Sequence, residues 1–243
     1  LIKLSPSTFR QAQSEFGSSL IIQTGFGWAG NSTFLFDSWD QASQKIPLKS
    51  LVKVSPRLTG YTLTNNCCLT KSGLIQSPPA VQFTGITGLT DNPFATVGRQ
   101  WPAFTATDIL AQVTDITNKF GQILSSLNYR GYFGLDFFVS RNQVYLLECN
   151  PRLTASFAFY HHLEQSAGYT PLFLLHLSEF LDIHYPVNPK KENRRSLDQH
   201  IQGYQLARRN SQGKIVSLIS DHKPLVSDPS SISIPKDILR QLS

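Results

Sequence analysis

Two acids, Asp136 and Glu148, stand in apolar stretches on either side of a short polar turn, with Asn150 and Arg152 closing the run Gly134-Leu135-Asp136-Phe137-Phe138-Val139-Ser140-Arg141-Asn142-Gln143-Val144-Tyr145-Leu146-Leu147-Glu148-Cys149-Asn150-Pro151-Arg152. Both flanks read as strands, and side chains at i and i+2 of a strand share a face, so Glu148 and Asn150 point the same way. Asp136 joins them if the connecting loop has three residues, Ser140 to Asn142. That register sets Val139 opposite Gln143 and Asp136 opposite Leu146, on the Glu148 side. A two-residue loop at Arg141-Asn142 puts Asp136 on the other face unless a bulge intervenes. In the first arrangement two carboxylates and an amide oxygen converge inside an apolar sheet, where unpaired they are costly to bury. Hard oxygen donors of this kind suit Mg2+, which takes one or two carboxylates and completes its shell with phosphate oxygens and water. Arg152 then clamps a phosphoryl group or a carboxylate bidentately. The plain alternative is a surface hairpin whose acids meet solvent and whose Arg152 pairs with Glu148. Alternation turns Cys149 to the opposite face, which argues against a nucleophile there.

A second chemical signal is Gly25-x-Gly27-x-x-Gly30, following Leu20-Ile21-Ile22-Gln23. A dinucleotide-binding turn needs a helix directly afterwards and an acid about 20 positions on. Neither is present. The next residues, Thr33-Phe34-Leu35-Phe36, are β-branched and aromatic, so the glycines turn a hairpin. Its backbone N–H groups either cradle phosphates or form a flexible tip with no ligand.

The elements that must position these groups follow from pattern. Ser5-Pro6-Ser7-Thr8, then Phe9 and Phe16, predicts a capped helix ending at Gly17. Strands are expected at 20–23, 33–36 and 51–54, with a helix from Ser38 to Lys45. Tyr61 to Leu69 alternates as a strand before a turn at Thr70-Lys71-Ser72-Gly73. Residues 76–106 carry prolines and little periodicity and read as a long loop. Within it, Arg99 is either an anchor for a substrate carboxylate or a solvated loop residue, and Arg57 poses the same choice. Ile109, Val113, Ile116, Phe120, Ile123, Leu124 and Leu127 mark one amphipathic helix. Leu153–Leu163 and Pro171–Leu181 read as apolar helices, in which His161, His162 and His176 are structural. Strands are expected at 203–207 and 215–218, and the charged run Lys190 to Arg195 reads as a solvated linker.

With 243 residues, 40% hydrophobic and 16% charged, and sixteen Phe, the chain has the composition of a globular protein. The net charge of +6 is scattered, which argues against nucleic acid as a partner. No apolar run nears the roughly 18 residues of a membrane span. Three cysteines, two of them adjacent, make no disulfide framework and fit a reducing, cytoplasmic setting. The absence of Met and a start at Leu1 read as a fragment of a longer protein.

In the order of these parts the sequence resembles the ATP-grasp superfamily over roughly residues 6–180. The resemblance rests on the strand and glycine hairpin (Leu20–Phe36), the hinge strand (Leu51–Val54), Gly134-Leu135-Asp136-Phe137 and Leu147-Glu148-Cys149-Asn150-Pro151-Arg152. It implies an α+β fold of two subdomains with mostly antiparallel sheets: a small one at 1–55, a large one at 56–190 and a C-terminal extension at 191–243, with a further domain ahead of Leu1. It also implies ATP and Mg2+ as cofactors. Gln23, Gly25, Gly27, Gly30, Asn31, Ser32 and Lys53 would meet the nucleotide. Asp136, Glu148 and Asn150 would hold the metal, and Arg152 would face the transferred phosphoryl group, with Thr154, Ser156 and Arg99 toward substrate. The implied reaction activates a small-molecule carboxylate as an acyl phosphate and joins it to an amine. Two departures stand out: Gln23 replaces a basic residue before the glycine loop, and Lys53 stands where an acid near adenine is usual. They keep open a degenerate, non-turning-over ATP-grasp domain, and a kinase on the same site is a third option. A homodimer is compatible with all three.

Overall fold

The computed structural model describes residues 1–25, 27, 30–198 and 201–208. The chain divides into two compact units, residues 1–59 with 84–97, and residues 60–83 with 98–207.

The first unit opens with strand β1 (Ile2–Lys3) and helix α1 (Pro6–Phe16), then β2 (Leu20–Thr24), β3 (Thr33–Phe36), α2 (Trp39–Lys45) and β4 (Leu51–Pro56). Helix α1 starts as its sequence demands: Ser5 Oγ accepts the Thr8 N–H at 3.2 Å and Thr8 Oγ1 accepts the Ser5 N–H at 3.0 Å, satisfying two orphan donors. Pro6 sits where no N–H is needed, and Gly17 ends the helix at φ 100. The strands form an antiparallel sheet in the order β1-β4-β2-β3. Leu20, Ile22 and Val52 from one face bury with Phe9, Ala12 and Ala42 of the helices.

The glycine hairpin joins β2 to β3, closed by the Thr24 N–H on the Ser32 carbonyl at 3.0 Å. Gly25, Gly27 and Gly30 fall in the described residues; Phe26, Trp28 and Ala29 lie outside them. Gly30 sits at φ +80, and a Cβ there would meet the Phe94 carbonyl oxygen at 2.4 Å. Gly30→Ala is therefore expected to destabilise the protein by about 2 kcal/mol, combining left-handed strain with a backbone collision. Thermal unfolding checks it; an unchanged midpoint would remove the close approach.

The second unit contains β5 (Tyr61–Thr70), β6 (Gly73–Gln76), β7 (Ala80–Thr84), β8 (Thr96–Trp101), α3 (Thr107–Ser126), β9 (Gly131–Ser140), β10 (Gln143–Asn150), α4 (Phe157–Ser166), α5 (Leu172–Phe180), α6 (Pro189–Asp198) and β11 (Gly203–Leu206). Its sheet runs β10-β9-β5-β7-β8-β11, with β6 paired to β5. Helix α3 covers one face, packing Ile109, Val113 and Leu124 on Leu63, Phe133, Leu135 and Phe137. Helices α4 and α5 cover the far end of the other face, where Tyr160, Leu172 and Leu175 bury Cys68, Ala80, Trp101 and Tyr132. Each fully buried large side chain contributes about 1.5–3 kcal/mol, so these layers hold the strands that carry the site.

Three sequence expectations are corrected here. Residues 76–106 are not one loop: β7 and β8 lie within it, and Arg99 stands on a strand. Prolines at 78, 79, 93 and 102 flank those strands rather than interrupt them, as missing donors require. The run Lys190 to Arg195 is helical, because Pro189 opens α6 and Asn188 Oδ1 accepts the Lys191 N–H at 3.1 Å. The helix expected from Leu153 begins at Phe157. The strand expected at 215–218 lies outside the described residues.

Candidate nucleotide and metal site

The connection between β9 and β10 decides which face each acid occupies. The hairpin turns on two residues, Arg141 at φ 49 and Asn142 at φ 60, the left-handed pair that matches strand twist. The expected three-residue loop is thus corrected. A regular ladder from such a turn would set Glu148 against the core, but the pairing Leu146↔Phe137 is followed by Glu148↔Asp136, so Leu147 is an extra, bulged residue. The bulge restores what the shorter turn would have cost: Asp136 and Glu148 stand directly opposite on one face.

Alternation adds the neighbours. Asp136 pairs with Thr64 of β5, and Thr62, two residues back, pairs with Gln82 of β7. Gln82, buried, donates from Nε2 to Asp136 Oδ1 at 2.9 Å. Arg99 shares the face of Trp101 by strand alternation and acts on the Asp136 charge. Beyond Glu148, Asn150 donates from Nδ2 to Glu148 Oε1 at 2.8 Å, and Arg152 donates to Asn150 Oδ1 at 3.0 Å. Arg152 therefore reaches Asn150, not Glu148, and its second hydrogen bond goes to the Leu153 carbonyl at 3.0 Å. A line of polar groups runs Gln82, Asp136, Glu148, Asn150, Arg152.

Burial pushes the Asp136 carboxyl up to about 6; the facing charge of Glu148 adds to the rise, while a hydrogen bond from Thr64 and the charge of Arg99 oppose it. Because the folded value stands above the ordinary 3.8, this group's contribution to stability is fully present below about pH 4 and lost as pH rises through about 6. Asp136→Asn is expected to gain roughly 1–2 kcal/mol at pH 7.5 without divalent cations, allowing for solvent screening on this face, and to gain nothing near pH 4. Chemical denaturation in a chelator at the two pH values checks it; equal stability at pH 7.5 would contradict the rise that burial, with the facing Glu148 charge, imposes on Asp136. Cys149 is pushed up to about 11 by burial and then by Glu148 and Asp136, which keeps it a thiol.

Thr154 and Ser156 take a different direction from the one expected. Both hydroxyls donate to Asn66 Oδ1 at 3.1 Å, and Ser156 is fully buried. His161 packs edge-on to Phe173, and His176 accepts the Tyr132 N–H at 3.1 Å, both structural roles. Sequence reasoning missed Gln82, Thr64 and Asn66, because each gains its role only through cross-strand neighbours.

In the first unit, Gln23 pairs with Lys53 across β2 and β4, so the two share a face. Gln23 Nε2 donates to Thr33 Oγ1 at 3.2 Å, and Asn31 Oδ1 accepts from Asn92 Nδ2 at 3.2 Å. The amide that stands in the basic residue's place thus has a strand neighbour carrying a cation.

No cluster of three or more His, Cys, Asp or Glu side chains forms a metal site among the described residues, so the site offers two carboxylates and an amide. Among the same residues no helix is long and apolar enough to cross a membrane.

A glycine hairpin on a small antiparallel sheet, and paired acids on the exposed part of a larger sheet ending in Asn-Pro-Arg, define an α+β protein of the nucleotide-grasping kind. The chain belongs to the ATP-grasp family: the family model described as ATP-grasp domain matches residues 5–156. It is similar in fold to carboxyaminoimidazole ribonucleotide synthase from Aspergillus clavatus, solved with ATP (TM-score 0.60, 17% identity, 76% of this chain and 46% of that one). N5-carboxyaminoimidazole synthetase from Staphylococcus aureus, solved with ADP, gives 0.57, 18%, 76% and 49%. Biotin carboxylase from Campylobacter jejuni gives 0.59, 12%, 79% and 43%. The chain spans about half the length of these proteins. No curated protein matches it in sequence.

Proposed function

We propose that this chain is the ATP- and Mg2+-binding part of a ligase that activates a carboxylate as an acyl phosphate and joins it to an amine. The observation that carries this is the Asp136–Glu148 pair, held face to face by a bulge, with Asn150 at the end of the same strand and Arg152 in the turn that follows. The donor set fits the metal. Two adjacent carboxylates, one with its proton held to about 6, gain from a divalent cation that favours both ionised forms. When bound, Mg2+ supplies charge neutralisation on phosphate oxygens. Gln82 orients Asp136, and Asn150 orients Glu148. Arg152 meets the transferred phosphoryl group with two N–H donors. Gly25, Gly27, Gly30, Asn31 and Ser32 offer backbone N–H groups to phosphates, and Lys53, beside Gln23, supplies the cation that Gln23 lacks. Arg99 is the anchor for the substrate carboxylate. Free thiols at Cys67, Cys68 and Cys149 support a reducing, cytoplasmic setting.

A second reading, nucleotide binding without turnover, is favoured by one observation: the Gln23 amide is committed to Thr33. Mg-ATP is expected to raise the unfolding midpoint of the chain, the stabilisation reaching about 2.7 kcal/mol at a hundred times Kd, and ATP with a chelator is expected to give markedly less. Stabilisation by Mg-ATP without phosphate release over a panel of carboxylates and amines would favour the second reading; no stabilisation would overturn both.

A further inference from the structure

Between Asn150, fixed in the β9–β10 ladder opposite Gly134, and helix α4 the chain makes a short turn that carries Arg152. Asn66 stands in β5 opposite the same Gly134, so Gly134 lies between Asn66 and Asn150 in three adjacent strands. A Cβ on Gly134 would sit 2.4 Å from Thr154 Cγ2. The missing side chain leaves a gap through which the turn after Arg152 folds back across the sheet. There it meets Asn66, which is 0% exposed, and whose Oδ1 accepts from Thr154 Oγ1 and Ser156 Oγ at 3.1 Å each. The two hydroxyls also lie 2.9 Å apart. Ser156 caps α4, its carbonyl accepting the Tyr160 N–H at 3.0 Å. Arg152 is thereby bracketed by an anchor two residues before it and anchors two and four residues after it. Among the described residues Asn66 Nδ2 finds no hydrogen-bond partner. A buried, half-satisfied amide is costly, and an apolar residue would pack there without that cost.

We propose that Asn66 is a positioning residue, pinning the 152–156 turn so that Arg152 presents its guanidinium at the end of β10; its catalytic consequence rests on the ligase reading above. The side chain touches no reactant. It acts through two hydroxyls on the backbone of the residue that does, and a misplacement of about 1 Å at such a group costs about a hundredfold in rate.

The test uses the full chain, Mg-ATP together with the panel of carboxylates and amines, and the variants Asn66→Ala, Arg152→Ala and the double variant. Asn66→Ala is expected to slow phosphate release about 10- to 100-fold while Mg-ATP affinity moves less than about twofold, and the double variant is expected to be no slower than Arg152→Ala alone. Additive losses, or wild-type turnover in Asn66→Ala, would overturn the proposal, since a merely structural role lowers stability and affinity without coupling to Arg152. If Asn66→Ala does not fold, Thr154→Val with Ser156→Ala removes the same hydrogen bonds from their donors. Amide exchange at 152–156 reads the anchoring without any activity. A rise of about tenfold or more is expected from opening of this turn, and unchanged exchange sinks the proposal. Absence of phosphate release from the wild type would count against the ligase reading alone, because the exchange result stands apart from it.

Discussion

Glu148→Gln removes the dependence of nucleotide binding on Mg2+: affinity for Mg-ATP falls by about a hundredfold or more, toward that for ATP in a chelator. The size follows from position. Residues that only support a metal ligand cost about 10- to 100-fold when replaced, so a direct oxygen donor costs at least as much. The fold is expected to survive, because a Gln side chain keeps an oxygen for the Asn150 Nδ2 donor that now lies 2.8 Å from Glu148 Oε1. A second result separates loss of a ligand from loss of structure. The facing charge of Glu148 is one cause of the raised Asp136 value, so in Glu148→Gln that carboxyl titrates closer to 3.8. Titration calorimetry with and without Mg2+, and carbon NMR of the Asp136 carboxyl against pH, measure the two effects. Equal Mg-ATP affinity in both proteins would remove the metal assignment.

Arg152→Ala is expected to lower turnover by about 10²–10³-fold with Mg-ATP affinity nearly unchanged, the signature of an interaction made as charge develops rather than in the ground state. Arg152 is exposed, and its guanidinium donates to Asn150 Oδ1 and the Leu153 carbonyl, so its removal leaves no buried charge unpaired. Stability should move by about 0.5 kcal/mol or less. Arg152→Lys restores charge but not the planar fork and should recover only part of the rate. Steady-state phosphate release together with direct nucleotide binding distinguishes the outcomes. A fall in affinity equal to the fall in rate would assign Arg152 to uniform binding instead.

Local chemistry made some elements legible in advance. Helix α1 is written in Ser5, Pro6 and Gly17, each of which does at a helix end what few other residues do. Helix α3 is written in an apolar repeat of helical period, and β2, β3 and β4 in short β-branched runs. The strands β7 and β8 escaped because they are short and flanked by prolines, so punctuation that marks strand ends was taken for loop. Helix α6 escaped because its charge is local, while its docking is not: Asn193 accepts the Gln76 N–H at 2.9 Å and donates to the Leu74 carbonyl at 3.0 Å, contacts well over a hundred positions apart in sequence. The same distinction divides the site. Asp136, Glu148 and Asn150 sit in one hairpin, with Arg152 two residues past its end, and could be read from spacing. Gln82 and Asn66 belong to other strands, and Thr154 and Ser156 turned inward because an amide 88 and 90 residues away accepts them.

The bulge at Leu147 makes the hairpin a counting device of parity two. Between the turn and Glu148, each residue added or removed while the bulge persists sends everything after it to the opposite side of the sheet, so losing Tyr145 with the bulge intact would turn Glu148, Asn150 and the approach to Arg152 into the apolar layer under α3. Leu147 is the exception. It is the surplus member of the count, half exposed on the edge strand, and excising it leaves Leu146 opposite Phe137 and Glu148 opposite Asp136 as before. A deletion of one residue, ordinarily among the harshest edits to a strand, leaves every other pairing of β10 unchanged when it falls at that position. What changes is aim rather than allegiance: the strand loses its local twist, and the carboxylate keeps its side while its bearing on the nucleotide shifts.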